Sequence, residues 1–233
     1  MKFRRFFCAV MILFSCCLRA QKQGIVKVHV YVFGPDGPGT TLPFDISYRI
    51  WYKNSRSIQE VPLLVFKDDS SGKSTSVKIK HFSYLDPDRN VCINYASFSG
   101  ISKILKHYSN VDSVSKNGGW NFYSDAKLTY DSLKNLSDTV INNIAYGRIR
   151  MDRTINDDRI YLILYFRCDK KGTWITAFKT LSDSIGCPIV WDDSFIKNRL
   201  FMTRELEFVS DKLSQKELTV FDAWEKNAGG KTL

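Results

Sequence analysis

Strict side-chain alternation limits the fold of this chain more than any other feature. The stretch from Leu136 to Asp169, LSDTVINNIAYGRIRMDRTINDDRIYLILYFRCD, holds two alternating runs around a polar turn. In the first, Ile144, Tyr146 and Arg148 share a face opposite Ala145, Gly147, Ile149 and Met151. In the second, Ile160, Leu162, Leu164, Phe166 and Cys168 oppose Tyr161, Ile163, Tyr165 and Arg167. A period of two among β-branched and aromatic residues predicts strands with one wetter face each. Thr154-Ile155-Asn156-Asp157-Asp158 supplies the turn. We expect this hairpin at the centre of an antiparallel sheet, and nothing in it points to chemistry.

The same pattern recurs along the chain. Gly24–Phe33 alternates Ile25, Lys27, His29, Tyr31 against four valines, and the Gly/Pro run from Gly34 to Gly39 stops it. Phe44–Lys53 predicts a second strand and Ser57–Phe66 a third, with Pro62 marking an edge or a bulge. Ser74–Leu85 and Val91–Tyr95 follow, each after a polar turn. Short strands are also expected at Trp120–Tyr123, Lys127–Tyr130, Trp174–Thr180 and Ile189–Trp191, and Met202–Val209 alternates loosely. Turns every ten to fifteen residues favour an antiparallel meander over a βαβ array. Ile101, Ile104, Leu105 and Tyr108 at i, i+3, i+4 and i+7 predict a short mid-chain helix over Ser99–Ser109. A second helix is expected over residues 214–228. Ser214 and Glu217 make a capping box, Leu213 and Leu218 a hydrophobic staple, Leu218, Phe221 and Trp224 an apolar face, and Gly229-Gly230 a stop. The fold class expected is mainly β (α+β): a curved antiparallel sheet or half-barrel meander with a short mid-chain helix and a C-terminal packing helix.

Residues 1–20, MKFRRFFCAVMILFSCCLRA, read as an export signal: a basic start, a short apolar run and a small residue at Ala20. The run is too short to span a membrane, so no transmembrane segment is expected in the mature chain. Cleavage after Ala20 is one outcome; lipidation at Cys16, with Leu13-Phe14-Ser15-Cys16 as a degenerate lipobox, is a second, and an uncleaved anchor a third. Residues 21–233 are expected to form a single β-rich domain in the periplasm or at the outer membrane, or outside the cell. A chain that is 44% hydrophobic has enough apolar material for a core, which argues against general disorder. Of the formal charge of +10, Lys2, Arg4, Arg5 and Arg19 carry four, leaving +6 scattered among acids. That is a solvated surface and not a nucleic-acid site.

Motifs for chemistry are sparse. Cys92, Cys168 and Cys187 remain after the signal, with no C-x-x-C, so thioredoxin and zinc sites are disfavoured. Cys168 and Cys187 are the candidate disulfide, weighed against buried unpaired thiols. His29, His81 and His107 lie far apart and match no hydrolase or metalloenzyme motif. Gly72-Lys73-Ser74 resembles the end of a P-loop, but Lys67 stands where the loop needs glycine. Asp157-Asp158 and Asp192-Asp193 sit at apparent turns, where local hydrogen bonding accounts for them before calcium does. No catalytic residue, cofactor or metal is assigned.

With the export signal and the segment Trp120 … Leu136-Ser137-Asp138-Thr139-Val140-Ile141-Asn142-Asn143-Ile144-Ala145-Tyr146, the chain resembles two related groups over about 50 residues. One is the periplasmic lipoprotein-carrier (LolA-like) fold, the other the GLPGLI-type exported proteins of Bacteroidetes. Asn143 stands where those have glycine, and no Gly-Leu-Pro-Gly occurs. The resemblance implies a curved half-barrel closed by helices and an envelope role with a hydrophobic ligand; it carries over no functional residue. The expected function is therefore an exported, non-enzymatic binding or envelope-associated protein, holding a hydrophobic small molecule or an envelope protein partner. The alternative is a periplasmic hydrolase whose site assembles from separated His and Asp residues.

Overall fold

The structure, a computed structural model, describes residues 22–33, 44–69, 72–120, 130–155, 158–170, 175–176 and 178–229. Eleven antiparallel strands form one sheet in the order β6-β5-β4-β3-β2-β1-β11-β10-β9-β8-β7. They are β1 (Gln23–Val32), β2 (Phe44–Lys53), β3 (Arg56–Asp69), β4 (Gly72–Asp86), β5 (Val91–Tyr95) and β6 (Ile104–Tyr108), then β7 (Ser132–Ile141), β8 (Ile144–Ile155), β9 (Asp158–Phe166), β10 (Ile189–Ile196) and β11 (Arg199–Ser210). Every pairing but one joins strands consecutive in sequence, as hairpins do at the least loop entropy. The exception, β1 with β11, zips two meanders together from Ile25↔Ser210 to Val32↔Met202. The sheet is curved and not closed into a barrel, with β6 and β7 as its edges.

Three features depart from the expectations drawn from sequence. The middle of the sheet is β1, and the β8–β9 hairpin lies toward the β7 edge. Alternation identifies strands but carries no information about which strand the chain termini bring together. The stretch 99–109 holds strand β6 and no helix: Ile104–Tyr108 pairs with Cys92–Tyr95. The four apolar residues read as a helical stripe serve an edge strand, with Ile101 98% exposed just before it, and neighbouring β5 overrides the local periodicity. The mid-chain helices are instead α1 (Ser113–Lys116) and α2 (Lys179–Ile185), the second on residues partly read as strand. The strands expected at Trp120–Tyr123 and Lys127–Tyr130 fall largely outside the described residues, and the signal segment with Cys16 wholly so; the described residues of the strand expected at Trp174–Thr180 (175–176 and 178–180) hold no strand, and the last two open α2.

Two layers cover the sheet. On one face Val26, Val28, Tyr48, Ile50 and Leu206 pack with Ile175 and Trp120. The same face buries Met151 and Leu164 under Leu181 of α2 and its N-cap residue Phe178, and Leu85 and Cys92 under Val114 of α1 and the preceding Val111. On the other face lies α3 (Gln215–Gly229), whose Val220, Phe221 and Trp224 are buried against Trp51, Ile58, Tyr84, Ile93 and Tyr95. The capping box forms: the Ser214 N–H donates to Glu217 Oε2 at 2.7 Å and the Glu217 N–H to Ser214 Oγ at 3.4 Å. Glu217 also accepts from Trp51 Nε1 at 2.8 Å, which fixes the helix start to the sheet. Trp224 stacks on Tyr95 at 3.9 Å and donates to the Ser99 carbonyl at 2.9 Å. Pro62 lies at a bulge between β3 and β4, as its missing N–H demands.

Candidate functional site

A recess opens where β11 outlasts β10. Pairing between them runs only from Trp191↔Glu205 to Ile196↔Arg199, which leaves Leu206–Ser210 without a β10 partner. The sequence shows why β10 starts late. Gly186 ends α2 in the left-handed region at φ 74°, Cys187 is bonded to Cys168, and Pro188 offers no N–H. A bulge follows between Ile189 and Trp191. The start of β10 is then held from behind. Thr176 Oγ1 donates to the Ile189 carbonyl and accepts from its N–H, both at 3.0 Å, while Ser182 Oγ accepts from the same N–H at 3.1 Å.

The vacated place forms a cavity of about 230 Å³, walled by Ile144, Tyr146, Val190, Trp191, Leu206 and Phe208, with Arg167, Lys170, Glu205 and Glu207 at its rim. A second, more open groove of about 610 Å³ shares Ile144, Tyr146 and Arg167 and continues past Ala145, Gly147, Phe166 and Cys168. Gly147 is what lets the groove exist in this form. It pairs with Phe166, and a Cβ there would come within 2.1 Å of the Phe166 ring. The hairpin beside it turns on Asn142 and Asn143, both at positive φ, 50° and 63°. Tyr146, Tyr165 and Trp191 form an aromatic cluster, edge-to-face at 6.2 Å from Tyr146 to each of the others. Arg167 is committed to Asp169 and lies over the Tyr146 ring at 6.0 Å. Lys170 lies over Phe208 at 5.5 Å.

The residues singled out in the sequence fall as follows. Cys168 and Cys187 are joined by a disulfide with their Cα atoms 4.8 Å apart, at the back of the recess. Cys92 is a buried free thiol whose pKa burial pushes up to about 12, so it is no nucleophile at neutral pH. Asp192 and Asp193 lie within β10 and not at a turn, so successive side chains point to opposite faces and cannot share one cation. Asp192 is fully buried, and the Arg204 Nε donates to its Oδ1 at 2.7 Å. Burial pushes the Asp192 carboxyl up from the ordinary range while Arg204 opposes the shift. Asp193 accepts from Tyr165 Oη, Trp191 Nε1 and Thr203 Oγ1 at 2.8–3.0 Å. Asp157 lies outside the described residues, and Asp158 pairs with Lys197 at 3.2 Å. Among the described residues no group of three or more His, Cys, Asp or Glu side chains is placed to hold a metal, and no helix is long and apolar enough to cross a membrane.

His81 is buried, its Nε2 without a hydrogen-bond partner among the described residues, and His107 is exposed on β6. His29 is the histidine with acid and hydroxyl neighbours. Its Nε2 lies 2.9 Å from Glu207 Oε2, and Ser47 Oγ lies 3.1 Å from its Nδ1. The β2–β1–β11 register makes this contact, since His29 is opposite Ser47 and Glu205. The lone pattern His29 … Ser47 gives no hint of it, because pairing across β1 and β11 spans the whole chain. Ser47 also donates to Asp45 Oδ1 at 3.1 Å, so its one proton is contested.

No protein-family model and no curated protein matches the sequence. Solved structures similar in part include the Mycobacterium tuberculosis lipoprotein LppX, at 7% identity over 87% of this chain and 93% of that one, with a TM-score of 0.38. LprF from Mycobacterium bovis is 11% identical over 83% and 88%, also at a TM-score of 0.38, and the ywiB protein from Bacillus subtilis is 8% identical over 81% and 95%, at 0.17. Likenesses this slight carry no argument about this chain.

Proposed function

We propose that this is an exported, non-enzymatic binding protein that holds an apolar or amphipathic small molecule in the recess beside β11. One observation carries the reading: the two cavities share Ile144, Tyr146 and Arg167, so a charged, aromatic-lined hollow adjoins a more apolar groove along the end of the sheet. Small-molecule sites have this composition and scale. Residues 1–20 and the Cys168–Cys187 disulfide support export, since such bonds persist in oxidising compartments. The test uses the delipidated, oxidised protein titrated with a fluorescent fatty acid, with Trp191 as an internal reporter. Saturable binding at micromolar levels, weakened by Ile144→Asp, is expected; no saturable uptake by the wild-type protein ends the proposal.

One observation favours a second reading, a hydrolase: the Ser47–His29–Glu207 chain of contacts. It is the weaker reading. Asp45 competes for the hydroxyl proton, and Asp45, Glu205 and Glu207 surround the position where an oxyanion would need donors. Covalent labelling of Ser47 by a fluorophosphonate, abolished by His29→Ala, is the result that would promote it.

A further inference from the structure

The recess holds one cation and one carboxylate without an ion-pair partner among the described residues. Arg167 is neutralised by Asp169, and Glu207 is engaged with His29. Lys170 and Glu205, which line the same cavity, have no ion-pair partner among the described residues. Their placement follows from the fold. Glu205 projects from β11 opposite Trp191, and Lys170 ends the 3₁₀ turn (Cys168–Lys170) that follows β9. Those strands stand two inter-strand spacings apart, about 10 Å. The lysine stem spans part of that gap, because its ammonium lies over the Phe208 ring of β11 itself. Two opposite charges therefore line the same cavity, Glu205 beside Trp191 and Lys170 over Phe208.

We propose that the recess recognises a zwitterionic headgroup, an anionic centre bound at Lys170 and a cationic centre at Glu205 against the aromatic wall. This deepens the binding reading above and rests on it. Three features favour a zwitterion over a singly charged head. A carboxylate or phosphate alone satisfies Lys170 but faces Glu205 and Glu207 unscreened in a half-enclosed site. An ammonium alone satisfies Glu205 and meets Lys170. Aromatic faces attract quaternary or primary ammonium centres, and Trp191, opposite Glu205, supplies one. An apolar tail then follows the adjoining groove past Ile144, Ala145 and Phe166.

The experiment titrates the delipidated, disulfide-intact protein with four dodecyl amphiphiles below their micelle concentrations, followed by calorimetry and Trp fluorescence. The heads are phosphocholine, phosphate, trimethylammonium and neutral maltoside; phosphocholine without a tail is a fifth arm. The phosphocholine amphiphile is expected to bind about tenfold more tightly than the others, and Glu205→Gln should move the preference to the phosphate head while Lys170→Gln moves it to the trimethylammonium head. Both side chains are half-buried, so melting temperatures measured alongside separate loss of recognition from loss of fold. Tail-free phosphocholine binding as tightly as the amphiphile would identify a free zwitterionic solute as the ligand. Equal binding of all four heads overturns the headgroup inference and leaves the apolar cleft standing, whereas binding of none removes both.

Discussion

Arg204→Met isolates a buried ion pair of the sheet. Asp192 is fully buried, and the charge that compensates it is the Arg204 guanidinium at 2.7 Å. Removing one partner of such a pair strands a charge in the interior, which costs about 3–5 kcal/mol. Arg204 also lies over Trp120 at 4.2 Å and Phe178 at 5.4 Å, contacts worth roughly 0.5–1 kcal/mol each that methionine only partly replaces. For a chain of 233 residues the loss corresponds to a fall in Tm of roughly 10 °C or more. The pH dependence supplies the sign. Burial raises the folded-state pKa of Asp192 above its unfolded value, and loss of Arg204 raises it further. The folded state then holds a proton that the unfolded state has released, so the variant loses stability as pH rises from the unfolded pKa through the folded one. Urea denaturation of wild type, Arg204→Met, Asp192→Asn and the double variant at pH 7 and near pH 4 measures this. The single Arg204 variant should be the least stable at pH 7, the double variant should recover most of the loss, and the gap should narrow in acid. A gap between the Arg204 variant and the double variant that is absent at pH 7, or that widens in acid, would refute the argument.

Other outcomes follow from the same structure. Cys168→Ala with Cys187→Ala opens a loop of 19 residues' separation and should cost about 3 kcal/mol, read as a lower urea midpoint that reducing agent reproduces in the wild-type protein. Trp224→Ala removes the ring stacked on Tyr95 and should cost about 3–5 kcal/mol; an unchanged melt would contradict the packing of α3. Ser214→Ala breaks the capping box for about 1 kcal/mol. Although partial burial of Glu217 works against ionisation, the bonds from Ser214 and Trp51 hold its carboxyl below the usual range. The Ser214 stabilisation should therefore be present above the unfolded glutamate pKa and fade as acid titration passes the lowered folded one. Gly147→Val drives a side chain into the Phe166 ring, and ligand uptake should fall by more than stability does, checked by parallel titrations and melts.

How far the sequence discloses this fold depends on whether the informative contacts are local. The α3 helix is fully legible because its cap, staple and apolar face all lie within residues 213–224, and the capping box forms as drawn. Strands β2 and β5 are equally plain, each preceded in the sequence by turn-forming residues. The β6 strand is misread because Ile101, Ile104, Leu105 and Tyr108 satisfy a helical stripe, and the partner that decides the matter, β5, is a separate element. The sheet centre is missed for the same reason, since β1 meets β11 across the length of the chain. Asp192 and Asp193 look like a turn until Arg199–Ser210 and Asp158–Phe166 pair on either side of them. The candidate site is the least legible feature of all. Of its lining, Tyr146, Arg167, Trp191 and Glu205 come from four strands or their ends, and no short motif connects them.

The site nonetheless has a local cause that sequence does show, once its consequence is understood. An antiparallel sheet this wide has no reason to leave a hole, because each unpaired backbone group away from water carries a cost. Gly186-Cys187-Pro188 imposes one. Glycine ends α2, proline withholds a donor, and the disulfide ties the segment to Cys168 so that the chain cannot slide to fill the ladder. The bulge at Ile189/Trp191 then turns Trp191 toward Tyr146 and Tyr165. The interruption is thus set by three adjacent residues, while its lining is supplied by strands that pair around it. Relieving it should abolish the recess without unfolding the sheet. Pro188→Val in the disulfide-free background would restore a backbone donor at the start of β10. If the recess binds as proposed, that variant should remain folded and lose ligand; retention of binding at wild-type affinity would show that the hollow owes nothing to the late start of β10.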